Sequence, residues 1–149
     1  MSEHTASIRW NRGGRPFTYD SYSRDHDWAF DGGQRLRGSA APAYLGSTEG
    51  VDPEEALVAA LSSCHMLTLL AIAAKKGWVV EEYEDDAVGT LAKDANGKLS
   101  VTQVVLRPRI AFGGDVRPDD AALQRLHHQA HEHCFIANSV RTEISIEPR

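Results

Sequence analysis

Clustered positive charge is missing from this sequence. Its 149 residues hold 16 Lys and Arg against 21 Asp and Glu, a formal charge of −5, and only Lys75 and Lys76 stand side by side. A nucleic acid or an anionic membrane surface calls for a gathered basic face, so neither is expected as a partner. The opening Met1-Ser2-Glu3-His4 lacks the basic start and apolar run of a secretory signal. The longest apolar stretch, Met66 to Ala74, falls well short of the roughly 20 residues that span a bilayer. A cytoplasmic protein is therefore expected. Cysteine is also scarce, with two residues in the chain. Cytoplasmic thiols are kept reduced, so a static disulfide staple is not expected. The two cysteines are left as core residues, metal ligands or redox-active groups.

Repeats, low-complexity tracts and long linkers are absent too, and the length fits one domain, 1–149, with its own core. Ile8 and Trp10 alternate before the turn-like Asn11-Arg12-Gly13-Gly14, and Phe17 and Tyr19 after it. Trp28 and Phe30 repeat the pattern ahead of Asp31-Gly32-Gly33. Strands and turns are thus expected up to residue 50, with a loop over residues 40–50. A long helix follows. Asp52 suits the N-cap, Pro53 the first helical position, and Glu54 and Glu55 the positive end of the dipole. Lys75 and Lys76 suit the other end, and Gly77 is a natural stop. Between them nearly every side is apolar, which predicts a helix buried all round.

Residues 78–113 read as a hairpin turning at Asp94-Ala95-Asn96-Gly97, with Pro108 marking an edge or a bulge. A second helix is predicted from about Pro118, with Asp119 and Asp120 in its first turn. Its apolar stripe is Leu123, Leu126, Ala130 and Cys134, spaced three, four and four. Ile144 and Ile146 close the chain as a short strand. The class is α+β.

Cys64 follows Leu57 and Leu61 at helical spacing but lies between Ser63 and His65, and Cys134 has His131 and His133 beside it. As small buried hydrophobes the two would need no further role. Polar and basic neighbours, however, are what lower a thiol's pKa and make it a nucleophile. A metal site is the other possibility, since His131 and Cys134 could converge with Cys64 on one ion. Yet there is no CxxC, and neighbours on a helix diverge by about 100°. Arg24 and Glu54, taken alone, are an ordinary surface arginine and a helix-start carboxylate.

Taken together, these residues resemble a family. The run Val51-Asp52-Pro53-Glu54-Glu55-Ala56-Leu57-Val58-Ala59-Ala60-Leu61-Ser62-Ser63-Cys64-His65-Met66 is similar to the Pro-Glu helix of the OsmC/Ohr hydroperoxide reductases, in which a peroxidatic cysteine follows ten residues after the glutamate. The run Ala130-His131-Glu132-His133-Cys134-Phe135-Ile136-Ala137-Asn138 resembles the family's resolving-cysteine segment. One branch draws its arginine from about forty residues before the peroxidatic cysteine, and Arg24 matches. Another places it in the loop before the Pro-Glu pair, where this chain has Tyr44. His65 departs from the family's usual small or aromatic residue.

The resemblance implies antiparallel sheets wrapped around long buried central helices in an intertwined homodimer. It also implies a peroxidase without cofactor or metal. Cys64 would attack an organic hydroperoxide, Arg24 held by Glu54 would stabilise charge, Cys134 would resolve the sulfenic acid, and an external dithiol of dihydrolipoyl type would reopen the disulfide. Helical rise adds a constraint. Ten residues along a straight helix cover roughly 15 Å, so a site shared by Glu54 and Cys64 needs a broken helix or a second chain. The alternatives are a non-enzymatic protein of the same fold that binds a small ligand or metal near the Cys/His cluster, and two cysteines that only pack.

Overall fold

In the computed structural model, which describes residues 1–149, two of the first three strands form at the predicted alternations around Ile8 and Trp28. Strands β1 (Ala6–Arg9), β2 (His26–Phe30) and β3 (Arg35–Gly38) make one antiparallel sheet in that order. Ile8 lies opposite Trp28, and Trp28 opposite Leu36. Phe17 and Tyr19 do not form the expected strand. The Thr18 carbonyl accepts from the Ser21 and Tyr22 amides, each at 3.1 Å, and the Thr18 and Ser21 hydroxyls meet at 2.6 Å. These local bonds give the backbone a turn in place of a ladder.

The loop before the first helix is tied down by main-chain and hydroxyl bonds. Ser39, fully buried, donates to Asp25 Oδ1 at 2.9 Å and accepts from the Ser47 amide at 2.9 Å. Val51 bonds the Arg37 carbonyl at 2.9 Å and accepts from the Ser39 amide at 3.0 Å. A Cβ at Gly46 would lie 1.6 Å from the Ala40 carbonyl oxygen, so only glycine fits there.

Helix α1 spans Pro53–Lys75 without a break. The Asp52 carboxylate accepts from the Glu55 amide at 2.7 Å, and the Glu55 carboxylate accepts from the Asp52 amide at 3.0 Å. That is a reciprocal capping box. At the far end Trp78 N–H reaches the Ala73 carbonyl and Gly77 N–H the Ala74 carbonyl, while Gly77 takes φ +72°, a Schellman stop. The helix is not buried on every side within one chain. Leu61, His65, Leu69 and Ala73 form a single buried stripe, and Leu67 is 60% exposed. The expectation about length also needs correcting. At 23 residues with a window of mean hydropathy 2.0, α1 is long and apolar enough to cross a membrane by length and composition. Counting only Met66 to Ala74 missed this, because Ser62, Ser63 and His65 interrupt the run without lowering the average much.

The chain divides into two compact units, Met1–Ala56 and Leu57–Arg149. The second contains β4 (Val79–Asp85), β5 (Val88–Lys93), β6 (Leu99–Leu106), β7 (Pro108–Gly113), α2 (Asp120–Glu132) and β8 (Glu143–Ile146). The hairpin is narrower than expected. Only β5 and β6 flank the Asp94–Gly97 turn, where Asp94 Oδ1 accepts from the Asn96 and Lys98 amides and Gly97 takes φ +74°. Strand β4 pairs antiparallel with β7 in a second sheet, and Pro108, unable to donate, opens β7. Strand β8 lies parallel to β6, so one ladder departs from the antiparallel pattern. The α+β class stands.

Two apolar clusters fill this unit. Leu69 and Ala73 of α1 join Leu126 and Ala130 of α2 in one, and Leu61 joins Val104 and Leu106 of β6 in the other. Asp85 links α1 to the strands, accepting from the Ser62 hydroxyl at 2.5 Å and the Arg107 amide at 2.6 Å. Helix α2 opens on Asp119, whose Oδ1 accepts from the Ala122 amide at 2.7 Å. Replacing it in Asp119→Ala should lower the free energy of unfolding by about 1 kcal/mol, the usual worth of an N-cap. Urea denaturation checks this, and an unchanged midpoint would show that the cap adds nothing.

Candidate active site

Cys64 sits on α1 between the residues that feed both apolar clusters. Cys134 does not end the stripe of α2 as expected. The helix stops at Glu132 with His133 as its C-cap, and Cys134 lies one residue beyond. Both thiols are free, Cys64 half-buried and Cys134 buried, and their side chains lie near enough for each to shift the other's ionisation. The chain turns directly after Cys134. Ala137 N–H points back at the Cys134 sulfur at 3.4 Å, and Asn138 N–H bonds the Cys134 carbonyl at 3.0 Å. This turn also brings the Ile136 and Phe135 N–H groups near enough to the Cys64 sulfur to favour its thiolate.

The two sulfurs are therefore electrostatically unequal. Burial pushes the Cys64 thiol up, but the nearby donors, the Cys134 thiol and the Ile136 and Phe135 amides, outweigh it. Cys64 is held below the ordinary thiol range. Thr68 contributes less, because its one hydroxyl proton is donated to the Cys64 carbonyl at 2.8 Å. Cys134 is pushed up to about 11, first by burial and then by the nearby Cys64. Cys64 thus ionises first while Cys134 keeps its proton. A thiolate with donors around it and a thiol in contact is the arrangement that makes a nucleophile and a disulfide partner.

Arg24 and Glu54 belong to the first unit, where both line a pocket of about 750 Å³ walled by Trp10, Phe17, Tyr22 and Tyr44. The Arg24 guanidinium is not paired with Glu54 within this chain. It donates to the Tyr22 carbonyl at 2.7 Å and the Tyr19 carbonyl at 2.5 Å, and lies over the Tyr22 ring at 3.8 Å. Two neutral carbonyls and an aromatic face hold the cation in place and leave its charge uncompensated. The four residues thus form two groups, Arg24 with Glu54 and Cys64 with Cys134.

Sequence reasoning missed His127. It stands in the string Leu126-His127-His128 and was not singled out. Yet it is 5% exposed, and its Nδ1 lies 3.2 Å from Nε2 of the fully buried His65. The signal was its place beside Leu126 on the inward stripe. The Phe135 and Ile136 amides carry no residue-type signal at all. No three His, Cys, Asp or Glu side chains come together in a way that could hold a metal ion.

These features can be set beside known proteins. The family model of OsmC-like proteins matches residues 46–149. A solved OsmC-like protein of unknown function from Vibrio cholerae is 52% identical, with both chains covered in full and a TM-score of 0.97. The organic hydroperoxide resistance protein OhrB of Bacillus subtilis has the same fold, at 20% identity, 99% and 98% coverage of the two chains and a TM-score of 0.71. The uncharacterized protein YmaD of Bacillus subtilis (strain 168) is 25% identical over 103 residues, 68% of each chain. With the family pattern spanning the Pro-Glu helix, both cysteines and the final strand, the chain belongs to the OsmC/Ohr family.

Proposed function

We propose that the protein is a thiol peroxidase that reduces organic hydroperoxides to alcohols by a two-cysteine cycle. The observation that carries this is the pairing of two free thiols, Cys64 and Cys134, near enough to shift each other, one lowered and the other raised. The Cys64 thiolate attacks the distal peroxide oxygen. The O–O bond breaks, the alkoxide takes a proton and leaves as alcohol, and Cys64 becomes a sulfenic acid. Cys134 then attacks that sulfur, its proton leaves with the hydroxyl as water, and a disulfide forms. An external dithiol, of dihydrolipoyl type, reopens it by exchange and is itself oxidised. No cofactor or metal enters the cycle.

In this reading Arg24 stabilises the developing negative charge on the departing oxygen, and Glu54 orients the guanidinium when the complete site assembles. The working form is a homodimer with composite sites. Helix α1 is unbroken, so Glu54 meets the Cys64 of a second copy rather than its own. The exposed Leu67 side chain fits a helix that a second copy covers. The protein is placed in the cytoplasm, with no nucleic-acid or membrane partner.

Titrating the reduced protein with tert-butyl hydroperoxide and reading intact mass and non-reducing peptide maps tests the cycle. The expected result is loss of two hydrogens near one equivalent of peroxide, with a Cys64–Cys134 link. Both thiols remaining free under excess peroxide would overturn the proposal.

A further inference from the structure

His65 and His127 are joined in a buried, neutral contact that the peroxide chemistry above does not use. The two rings are parallel to within 2°, with centroids 5.5 Å apart. One N–H passes between His65 Nε2 and His127 Nδ1 across 3.2 Å. The outer nitrogens, His65 Nδ1 and His127 Nε2, are buried with no partner. On thermodynamic grounds this is a poor way to fill a core, since two ring nitrogens lose water and gain nothing. Two leucines would pack there at lower cost.

The neighbours explain what the pair can do. Next to it, α1 and α2 meet through Leu69, Ala73, Leu126 and Ala130, an apolar contact that sets distance but not register. A directional bond between the helices fixes register, the best-attested use of a buried polar pair. His65 adjoins Cys64 in the chain, and His127 stands on α2 seven residues before Cys134, which follows the helix directly after its C-cap His133. Disulfide closure is strict, with Cβ atoms about 3.5–4.5 Å apart. A slide of α2 on α1 would shift Cys134 relative to Cys64 and so disturb closure.

We propose that the His65–His127 hydrogen bond is a register pin between α1 and α2, and that both histidines are positioning residues for closure of the Cys64–Cys134 disulfide. This deepens the two-cysteine reading, but it holds for any oxidant that closes the pair.

The test uses full-length protein in glutathione redox buffers. There, oxidised glutathione takes the electrons of the two thiols and is reduced to two glutathione thiols, and no peroxidase activity is needed. His127→Leu removes the bond and keeps the volume apolar. It should lower the equilibrium constant for closure about tenfold, which raises the potential of the couple by about 30 mV. His127→Asn, whose amide nitrogen falls where Nδ1 lies, should restore closure to within about twofold of the parent. His127→Gln reaches too far and should behave like the leucine variant, which provides a second polar variant should the leucine variant fail to fold.

With tert-butyl hydroperoxide, His127→Leu should form the Cys64 sulfenic acid at the parent rate, trapped by dimedone, while closing slowly. Parent-like closure in His127→Leu and His127→Gln would overturn the pin, as would equal losses in the asparagine and glutamine variants. Failure of the unsubstituted protein to react with peroxide, with the glutathione results intact, would overturn only the peroxidase reading.

Discussion

Cys64→Ser is expected to abolish hydroperoxide reduction, by on the order of a thousandfold or more, as removal of a nucleophile does. Cys134→Ser is expected to leave the first oxidation in place and stop the cycle there. The proposed roles follow the unequal surroundings of the two sulfurs. Cys64 is lowered by the nearby Cys134 thiol and the Ile136 and Phe135 amides, whereas Cys134 is raised by burial and by Cys64. A serine at 134 still offers an O–H to the Cys64 sulfur. An alanine does not. Cys134→Ala should therefore raise the Cys64 pKa, and Cys134→Ser should leave it close to the parent value. Stopped-flow consumption of tert-butyl hydroperoxide, read beside a pH titration of thiolate absorbance, checks both. Full turnover by Cys64→Ser would remove the cysteine mechanism. Full turnover by Cys134→Ser would remove the resolving role alone.

Acid should weaken the fold through His65. Burial, then the charges His127 and His131 would carry, lower His65 from about 6.5 to about 4. In the unfolded chain the ring takes up a proton near pH 6.5, and in the folded chain it stays neutral until about pH 4. Between those values the unfolded state binds more protons, so stability falls as pH falls. The contribution is complete above pH 6.5 and lost by pH 4. A displacement from 6.5 to about 4 corresponds to about 3 kcal/mol. His127, lowered by burial, acts in the same direction. Urea unfolding at pH 7.5 and 4.5, at one protein concentration, should show a steeper acid loss for the parent than for His65→Gln. Parallel losses in the two proteins would mean that carboxylates elsewhere, and not this ring, govern acid sensitivity.

Much of this was legible in the residues, and the gaps have physical reasons. Asp52, Glu55 and Gly77 act locally, so the bounds of α1 could be read from one dimension. The Asp94–Gly97 turn was equally plain. The pairing of β4 with β7 was not, because which strand neighbours which is decided by non-local packing. Strand β3 was missed because Arg35-Leu36-Arg37 offers one apolar residue between two charges. The α1 surface was read as wholly buried because the sequence records how apolar a helix is, and not how much of it the fold covers. The two cysteines could be picked out by type and neighbours, whereas Arg24 was reached only through the family resemblance. The carbonyls that hold Arg24 and the amides that face Cys64 could not, since every residue supplies them.

That last point bears on how the site can change over evolutionary time. Phe135 exposes most of its side chain, yet the group it presents to Cys64 is its N–H. Nearly any amino acid at 135 or 136 would present the same donor, because all but proline carry it. That part of the polarity around the sulfur is set by the path of the backbone, so side chains at those positions are free to drift, and to adapt to new surfaces or partners, without altering it.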